Sequence, residues 1–316
     1  MQYRKLGRTG LRVSAISLGS WLTYGNSVEK ERAFATIDKA YELGVNFFDT
    51  ANVYAQGEAE KIVGEALRRY PRESYVVATK VFWPMGSGPN DKGLSRKHVF
   101  EQAHASLRRL GLDYVDIYYC HRFDPETPVD ETLRTIDDLV RQGKVLYVGV
   151  SEWTAAQIQE ALGVADRYLL DRIVVNQPVY NMFNRYIEKE VIPVCEQNGI
   201  GQVVFSPLAQ GILTGKYKKG AGVPEGSRAA DPKANAFIQK MLRDDVLDKV
   251  ERLQAVAADL GITVAQLALA WTLRQPNVAS ALIGATRPEQ VVENVKAADV
   301  TLSAETIERI ERILSE

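Results

Sequence analysis

The chain of 316 residues has only two cysteines, Cys120 and Cys195, and only three histidines. Two cysteines so far apart exclude a disulfide scaffold, and without a Cys/His cluster at ligand spacing no zinc site or other metal is expected. An excess of charge of one sign is also missing: 39 Lys and Arg face 40 Asp and Glu, a formal net charge of −1. No global basic field is available to hold a phosphate backbone, which argues against nucleic acid as a partner. No apolar run approaches the roughly 18–20 residues of a membrane span, so none is expected. Met1-Gln2-Tyr3-Arg4-Lys5 leads into polar turn residues rather than an apolar stretch. The expectation is therefore a cytoplasmic protein without a signal peptide, its two thiols reduced and buried. Pro/Ser linkers, low-complexity tracts and blocks of like charge are absent, so nothing marks a domain boundary. A G-x-G-x-x-G after the first strand is missing as well. Gly19-Ser20-Trp21-Leu22-Thr23-Tyr24-Gly25 stands there instead, which argues against an open dinucleotide-binding sheet.

What is present is an ordinary share of apolar residues, 46%, arranged as short apolar strands alternating with amphipathic helices. Ala15–Leu18, Val45–Asp49, Tyr75–Thr79, Tyr114–Tyr119, Val145–Val150, Ile173–Asn176, Gln202–Phe205 and Ser280–Ile283 read as strands. The intervening segments Glu29–Leu43, Glu58–Arg69, Ser95–Leu110, Val129–Gln142, Ala155–Tyr168, Ile187–Asn198 and Pro288–Ala297 read as helices, several of them stopped by glycine. The strands are continuous apolar runs rather than alternating ones, the pattern of strands buried on both faces of a parallel sheet. Eight such units predict an α/β fold, a (β/α)8 TIM barrel forming one domain over 1–316. Three segments lie outside the repeat. Met1–Val13 reads as an N-terminal β-hairpin plugging the barrel bottom. Pro207–Asp245 is too long for an ordinary βα loop and reads as a lid. Ser303–Ser315 is a supplementary C-terminal helix.

In a barrel of this kind reactive groups sit on the loops after the strands, at one face. Asp49 and Tyr54 follow strand two, Lys80 ends strand three and His121 follows strand four. Each has an ordinary structural explanation alone; together at one face they form a constellation. A buried Lys beside a Tyr is expected to lower the phenol's pKa, with the Asp holding the Lys charged and oriented. The Tyr can then protonate a carbonyl oxygen as hydride reaches the carbon, and the His can orient that oxygen. No residue supplies hydride, so a nicotinamide cofactor is implied.

These residues stand in a wider set of motifs: Phe48-Asp49-Thr50-Ala51-Asn52-Val53-Tyr54, Thr79-Lys80, Val150-Ser151, Asn176-Gln177, Phe205-Ser206-Pro207-Leu208-Ala209, and Gly284-Ala285-Thr286 through Glu293-Asn294. With them the sequence resembles an aldo-keto reductase from end to end. Gly93–His98, Arg122-Phe123-Asp124-Pro125 and Gly211–Tyr217 are similar to the branch holding bacterial aldehyde reductases and the voltage-gated potassium channel β subunits. The resemblance implies Tyr54 as general acid, Lys80 and Asp49 tuning it and His121 positioning the carbonyl. It implies that Ser151 and Gln177, with Asn176 as a neighbouring candidate, hold the nicotinamide carboxamide, and that Phe205 stacks on the ring beside Trp21. Ser206, Pro207, Leu208 and Gln210 would line the pyrophosphate, with Lys216 and Arg228 on phosphate. Gly284, Thr286, Arg287, Gln290, Glu293 and Asn294 would take the adenosine end. A 2′-phosphate wants Arg or Lys, so Arg228 and Arg287 favour NADPH (NADP+). Two departures act against this: Gly226 stands where the channel subunits have an aromatic residue, and Glu152 where a basic residue is common. Trp21, Tyr24, Trp83, Met85 and Phe123 are the candidate substrate-pocket walls, lying on loops after strands one, three and four; Trp153 is either a further wall or core packing.

The expected activity is NADPH-dependent reduction of small aldehydes, with ketones open, by a protein that resembles homo-oligomers of tetramer size or larger. A cofactor-binding, redox-sensing regulatory subunit like the channel β subunits is the alternative. The resemblance places Asn at position 121 in those subunits, so His121 favours turnover, as does a chain that starts close to the barrel. A Schiff-base aldolase using Lys80 is a third reading, opposed by Asp49, which would keep Lys80 charged.

Overall fold

The computed structural model describes residues 1–25, 28–232 and 235–316. Lys233 and Ala234, inside the expected lid, lie outside the described residues. A two-stranded hairpin, β1 (Tyr3–Lys5) and β2 (Arg12–Ser14), precedes eight parallel strands that close into a barrel. The barrel strands are β3 (Ile16–Gly19), β4 (Phe47–Asp49), β5 (Val76–Val81), β6 (Val115–Cys120), β7 (Val145–Ser151), β8 (Ile173–Gln177), β9 (Gly201–Phe205) and β10 (Val278–Gly284). β10 closes the ring by pairing with both β9 and β3. This is the (β/α)8 TIM barrel expected from the continuous apolar runs.

Strand alternation sorts the side chains. Thr79 turns outward and donates to the buried Glu60 of helix α2 (Glu58–Leu67), whereas the next residue, Lys80, turns into the barrel. Gly149 leaves room inside: a Cβ there would come within 2.4 Å of the Tyr119 ring. The hairpin covers the bottom, with Leu6 and Val13 packed on the barrel-interior residues Phe47, Ala78, Ile117, Tyr119, Val175, Val203 and Ala279. Gly7 permits this seat. Its φ is +56°, and a Cβ would fall 2.3 Å from the carbonyl oxygen of Gly199.

The helices α1 (Lys30–Glu42), α2, α3 (Arg96–Leu110), α4 (Val129–Arg141) and α5 (Ala155–Tyr168) match the amphipathic segments within a few residues. The segment 187–198 differs. A 3-10 turn, Tyr186–Glu188, precedes a short helix α6 (Val191–Gln197). Pro193 is the reason: it has no N–H to give and clashes in a helix interior, so the helix starts where Pro193 falls in its first turn. Two helices between β9 and β10 carry no expectation from the sequence, α7 (Asp244–Asp259) and α8 (Val264–Leu273). Every residue of α8 is buried, which explains its uniformly apolar face. α9 (Pro288–Val295) starts with proline at its first position, and α10 (Ala304–Ser315) closes the chain. Among the described residues no single helix is long and apolar enough to cross a membrane. Cys120 and Cys195 are buried, free thiols.

Candidate active site

Register places the polar strand ends together. β4 pairs with β3 and β5 so that Asp49 lies beside Gly19 and Ala78. Ser151 pairs with Gln177, and Phe205 with Leu282. Over these ends opens a cleft of about 1570 Å3, lined at one end by Asp49, Tyr54, His121, Ser151 and Gln177 and at the other by the start of α9. That exceeds the roughly 300–1,000 Å3 of a drug-sized pocket and suits an extended ligand with a second small molecule beside it.

At the floor Lys80 is fully buried. Its ammonium pairs with Asp49 Oδ1 and donates to the Thr50 carbonyl at 2.8 Å. The other carboxylate oxygen, Asp49 Oδ2, accepts from the Gln177 side-chain amide at 2.8 Å. Burial pushes the Asp49 carboxyl up and the Lys80 ammonium down, while their ion pair works against both shifts. The Tyr54 hydroxyl lies 3.4 Å from Lys80 Nζ. Tyr54 opens a 3-10 turn whose next two residues, Ala55 and Gln56, hold φ of +48° and +53°, the kind of backbone strain that collects at functional sites. The His121 ring meets the Tyr54 ring edge-on at 5.8 Å, and the Trp83 ring at 6.2 Å.

The phenol departs from expectation. Tyr54 is raised well above its ordinary value of 10.0, first by burial and then by the Asp49 charge; Arg122 alone opposes this. Burial and the Asp49 charge outweigh the neighbouring Lys80 ammonium at this hydroxyl. His121 is lowered well below 6.5, by burial and then by the Lys80 and Arg122 charges. Both shifts favour the uncharged forms, a phenol that keeps its proton and an imidazole with one N–H to give.

Trp21, Ser151, Gln177, Phe205, Ser206, Pro207, Leu208, Gln210, Lys216, Arg228, Gly284, Thr286, Arg287, Gln290, Glu293 and Asn294 all line this one cleft. Ser206 and Gln210 are fixed by each other at 2.6 Å, and Gln210 in turn accepts from Arg228. Ser206, Ala209 and Gln210 have φ of +53°, +48° and +60°, so the loop turns its backbone sharply at this place. Lys216 keeps much of its surface open, yet the partial burial of its ammonium and then the Arg228 and Arg287 charges lower it. Burial lowers Arg228 too. Thr286 is held by Gln290, whose Oε1 accepts the Thr286 N–H at 2.8 Å.

Four candidates do not reach the cleft. Asn176 alternates away from Gln177 and donates to Gln202 at 3.0 Å. Tyr24 is 1% exposed and packs in the core. Phe123 stacks edge-on against the buried Trp153 at 4.9 Å, so both are packing. Met85 sits in a surface turn tied by Asp91 and is no part of the lining. Of the proposed substrate walls only Trp21 and Trp83 remain. Loop positions carry no periodicity, so the side from which a side chain projects is not legible there. Glu152 turns from the cleft, its carboxylate accepting from the Val179 N–H at 2.6 Å and the Tyr186 hydroxyl at 3.0 Å. Residues that sequence reasoning missed are Arg122, Val53, Val179 and Phe237. Phe237, on the long loop, meets Trp21 at 5.1 Å and brings that loop across the cleft. Adjacency to His121 was the available signal for Arg122.

The model of the aldo/keto reductase family matches residues 15–315. Two similar proteins, from Arabidopsis thaliana and Oryza sativa subsp. japonica, are each 48% identical over 319 residues, covering 99% of this chain and 97% of their own. A third, from Schizosaccharomyces pombe, is 44% identical over 322 residues, covering 99% of this chain and 93% of its own. All three bear the provisional name of a voltage-gated potassium channel subunit beta. The chain belongs to the aldo/keto reductase family, a family of oxidoreductases, and is similar throughout to channel β subunit-like members.

Proposed function

We propose that the protein is an NADPH-dependent reductase of aldehydes, with Tyr54 as general acid. The observation that carries this reading is the floor of the cleft: the Tyr54 hydroxyl 3.4 Å from the ammonium of a buried Lys80–Asp49 pair, with the His121 ring edge-on to Tyr54 at 5.8 Å. The residues present fit a dinucleotide. Three cations, Lys216, Arg228 and Arg287, converge at the far end, and Lys216 makes no ion pair among the described residues, which leaves its charge for a bound anion. The N-terminus of α9 adds a favourable dipole for a negative group. Ser151, Gln177 and Phe205 would hold the nicotinamide, Ser206, Leu208 and Gln210 the pyrophosphate, and Thr286, Gln290, Glu293 and Asn294 the adenosine end. The bound reduced cofactor supplies the hydride.

The chain's own residues handle the oxygen. The Tyr54 O–H donates to the carbonyl oxygen and passes its proton there as negative charge develops. The His121 N–H donates to the same oxygen and fixes its direction. Lys80, oriented by Asp49 and Thr50, stabilises the phenolate left behind, and Arg122 adds a second positive field. A single barrel domain over 1–316 accommodates all of this.

The cofactor assignment has a direct test. Purified protein with an aldehyde panel is expected to use NADPH well ahead of NADH in kcat/KM. Arg228→Ala or Arg287→Ala should raise KM for NADPH by about 10- to 100-fold, the size of a lost charge-assisted contact, with little change for NADH. Equal use of both cofactors by the wild type would refute the phosphate assignment. The names of the similar proteins favour a second reading, a redox-sensing subunit that holds cofactor for a membrane channel. Capture of a channel partner with negligible aldehyde turnover would favour it.

A further inference from the structure

The reacting end of the cleft carries one charge that the chemistry above does not balance. Asp49 and Lys80 are paired with each other, and burial favours the uncharged form of His121. Arg122 remains. It lines the cleft next to His121 and Trp83. One guanidinium nitrogen donates to the His121 carbonyl at 2.5 Å and to Ser151 Oγ at 3.4 Å, and the group lies 5.7 Å from the Trp83 ring centroid. All three partners are uncharged. Glu152, the acidic residue after β7, is committed to Val179 and Tyr186. The positive field of Arg122 reaches Tyr54, Lys80, His121 and Tyr186, so the charge faces the space in which a substrate must sit. A partly buried guanidinium anchored by one nitrogen, with no counter-ion among the described residues, is a preformed receptor for a carboxylate or phosphate.

We propose that Arg122 is a specificity-determining residue that binds an anionic substituent of the carbonyl substrate, so that the preferred substrates are small aldehydes bearing a carboxylate or phosphate. The inference rests on the reductase reading. The bonds from one nitrogen to the His121 carbonyl and Ser151 Oγ orient the guanidinium, and the donors on its other nitrogens are left for the ligand. Trp83 stacks over the cation and provides an apolar wall for the carbon skeleton. The charge also sits beside Tyr54, where it favours the phenolate after proton transfer.

The test compares matched aldehydes on the cofactor-loaded protein. 4-Carboxybenzaldehyde and 4-formylphenyl phosphate are run against the methyl ester of the former, each at saturating NADPH. Whichever anion fits is expected to exceed the ester in kcat/KM by about 10- to 100-fold, the value of one charged hydrogen bond, chiefly through KM. Arg122→Gln should collapse that ratio toward one, and Arg122→Lys should restore part of it. Calorimetric binding of benzoate, weakened strongly in Arg122→Gln and less in Arg122→Lys, reads the same site without turnover. Reduction of the ester with no anion preference, or a preference that survives in Arg122→Gln, overturns the inference and leaves the reductase reading intact. Benzoate binding that depends on Arg122 without turnover of any aldehyde supports the anion site and counts against the reductase reading.

Discussion

Replacing Tyr54 by Phe is expected to lower kcat/KM for aldehyde reduction by about 10²- to 10⁴-fold, the usual contribution of a positioned general acid. The substitution removes one oxygen and little else. Among the described residues that hydroxyl has one hydrogen-bond partner, Lys80 Nζ at 3.4 Å, so stability should hardly change. The loss should appear in kcat rather than in cofactor affinity, because proton donation matters only as the carbonyl is reduced. The pH profile offers an independent reading of the same group. Burial and Asp49 raise Tyr54 well above 10.0, and burial lowers His121 well below 6.5. Both groups therefore keep one protonation state between about pH 7 and pH 9, and kcat/KM for reduction should be flat across that window. A limb centred near pH 6.5 that disappears in His121→Asn would contradict a neutral imidazole. A Tyr54→Phe variant with wild-type rates would remove the proposed acid altogether.

Asp49→Ala should cost about 3–5 kcal/mol of stability, the loss seen when one partner of a buried ion pair is removed. Lys80 has no exposed surface and would be left with only the Thr50 carbonyl and the long Tyr54 contact. Burial already lowers its pKa, so without Asp49 it would be driven toward the neutral form. The Gln177 amide would lose its acceptor as well. Urea titration of the purified protein reads this as a lower midpoint. The double variant Asp49→Leu with Lys80→Met separates structure from chemistry. An apolar pair of similar volume often matches or exceeds a buried ion pair in stability, so the midpoint should recover while activity stays lost. An unchanged midpoint in Asp49→Ala would mean that the pair contributes nothing to the fold.

The parts of this molecule that were legible in the sequence are those set by periodicity and position. Continuous apolar strands such as Val115–Cys120 announce burial on both faces, and residues at their C-terminal ends had to share one face of the barrel. That is why Asp49, Tyr54, Lys80 and His121 meet as expected and why the residues read as cofactor contacts, Asn176 excepted, line a single cleft. Side-chain direction within irregular loops was not legible. Tyr24, Met85 and Phe123 were placed at the mouth because their loops reach it, yet Tyr24 folds into the core and Phe123 finds Trp153. The titration of Tyr54 was misread for a different reason. Burial of the hydroxyl and the Asp49 charge raise it, and neither burial nor the side of Asp49 that faces the phenol is readable from the sequence. Glu152, turned to Val179 and Tyr186, and Arg122, which faces the cleft, differ in the same way: their side-chain partners are set by the folded loops. The missed helices α7 and α8 belong to the long β9–β10 connection, where the repeat of one strand and one helix breaks down.

In the proposed reaction this cleft moves hydride from a nicotinamide to a carbonyl carbon while Tyr54 supplies the proton. NADPH carrying two deuterium atoms at C4 of the nicotinamide, incubated with the protein and an aldehyde, tests this directly. Alcohol with one deuterium on the carbinol carbon, formed in step with NADPH loss, is expected. Intact NADPH, bound but unconsumed, with no labelled alcohol across the aldehyde panel, would contradict it.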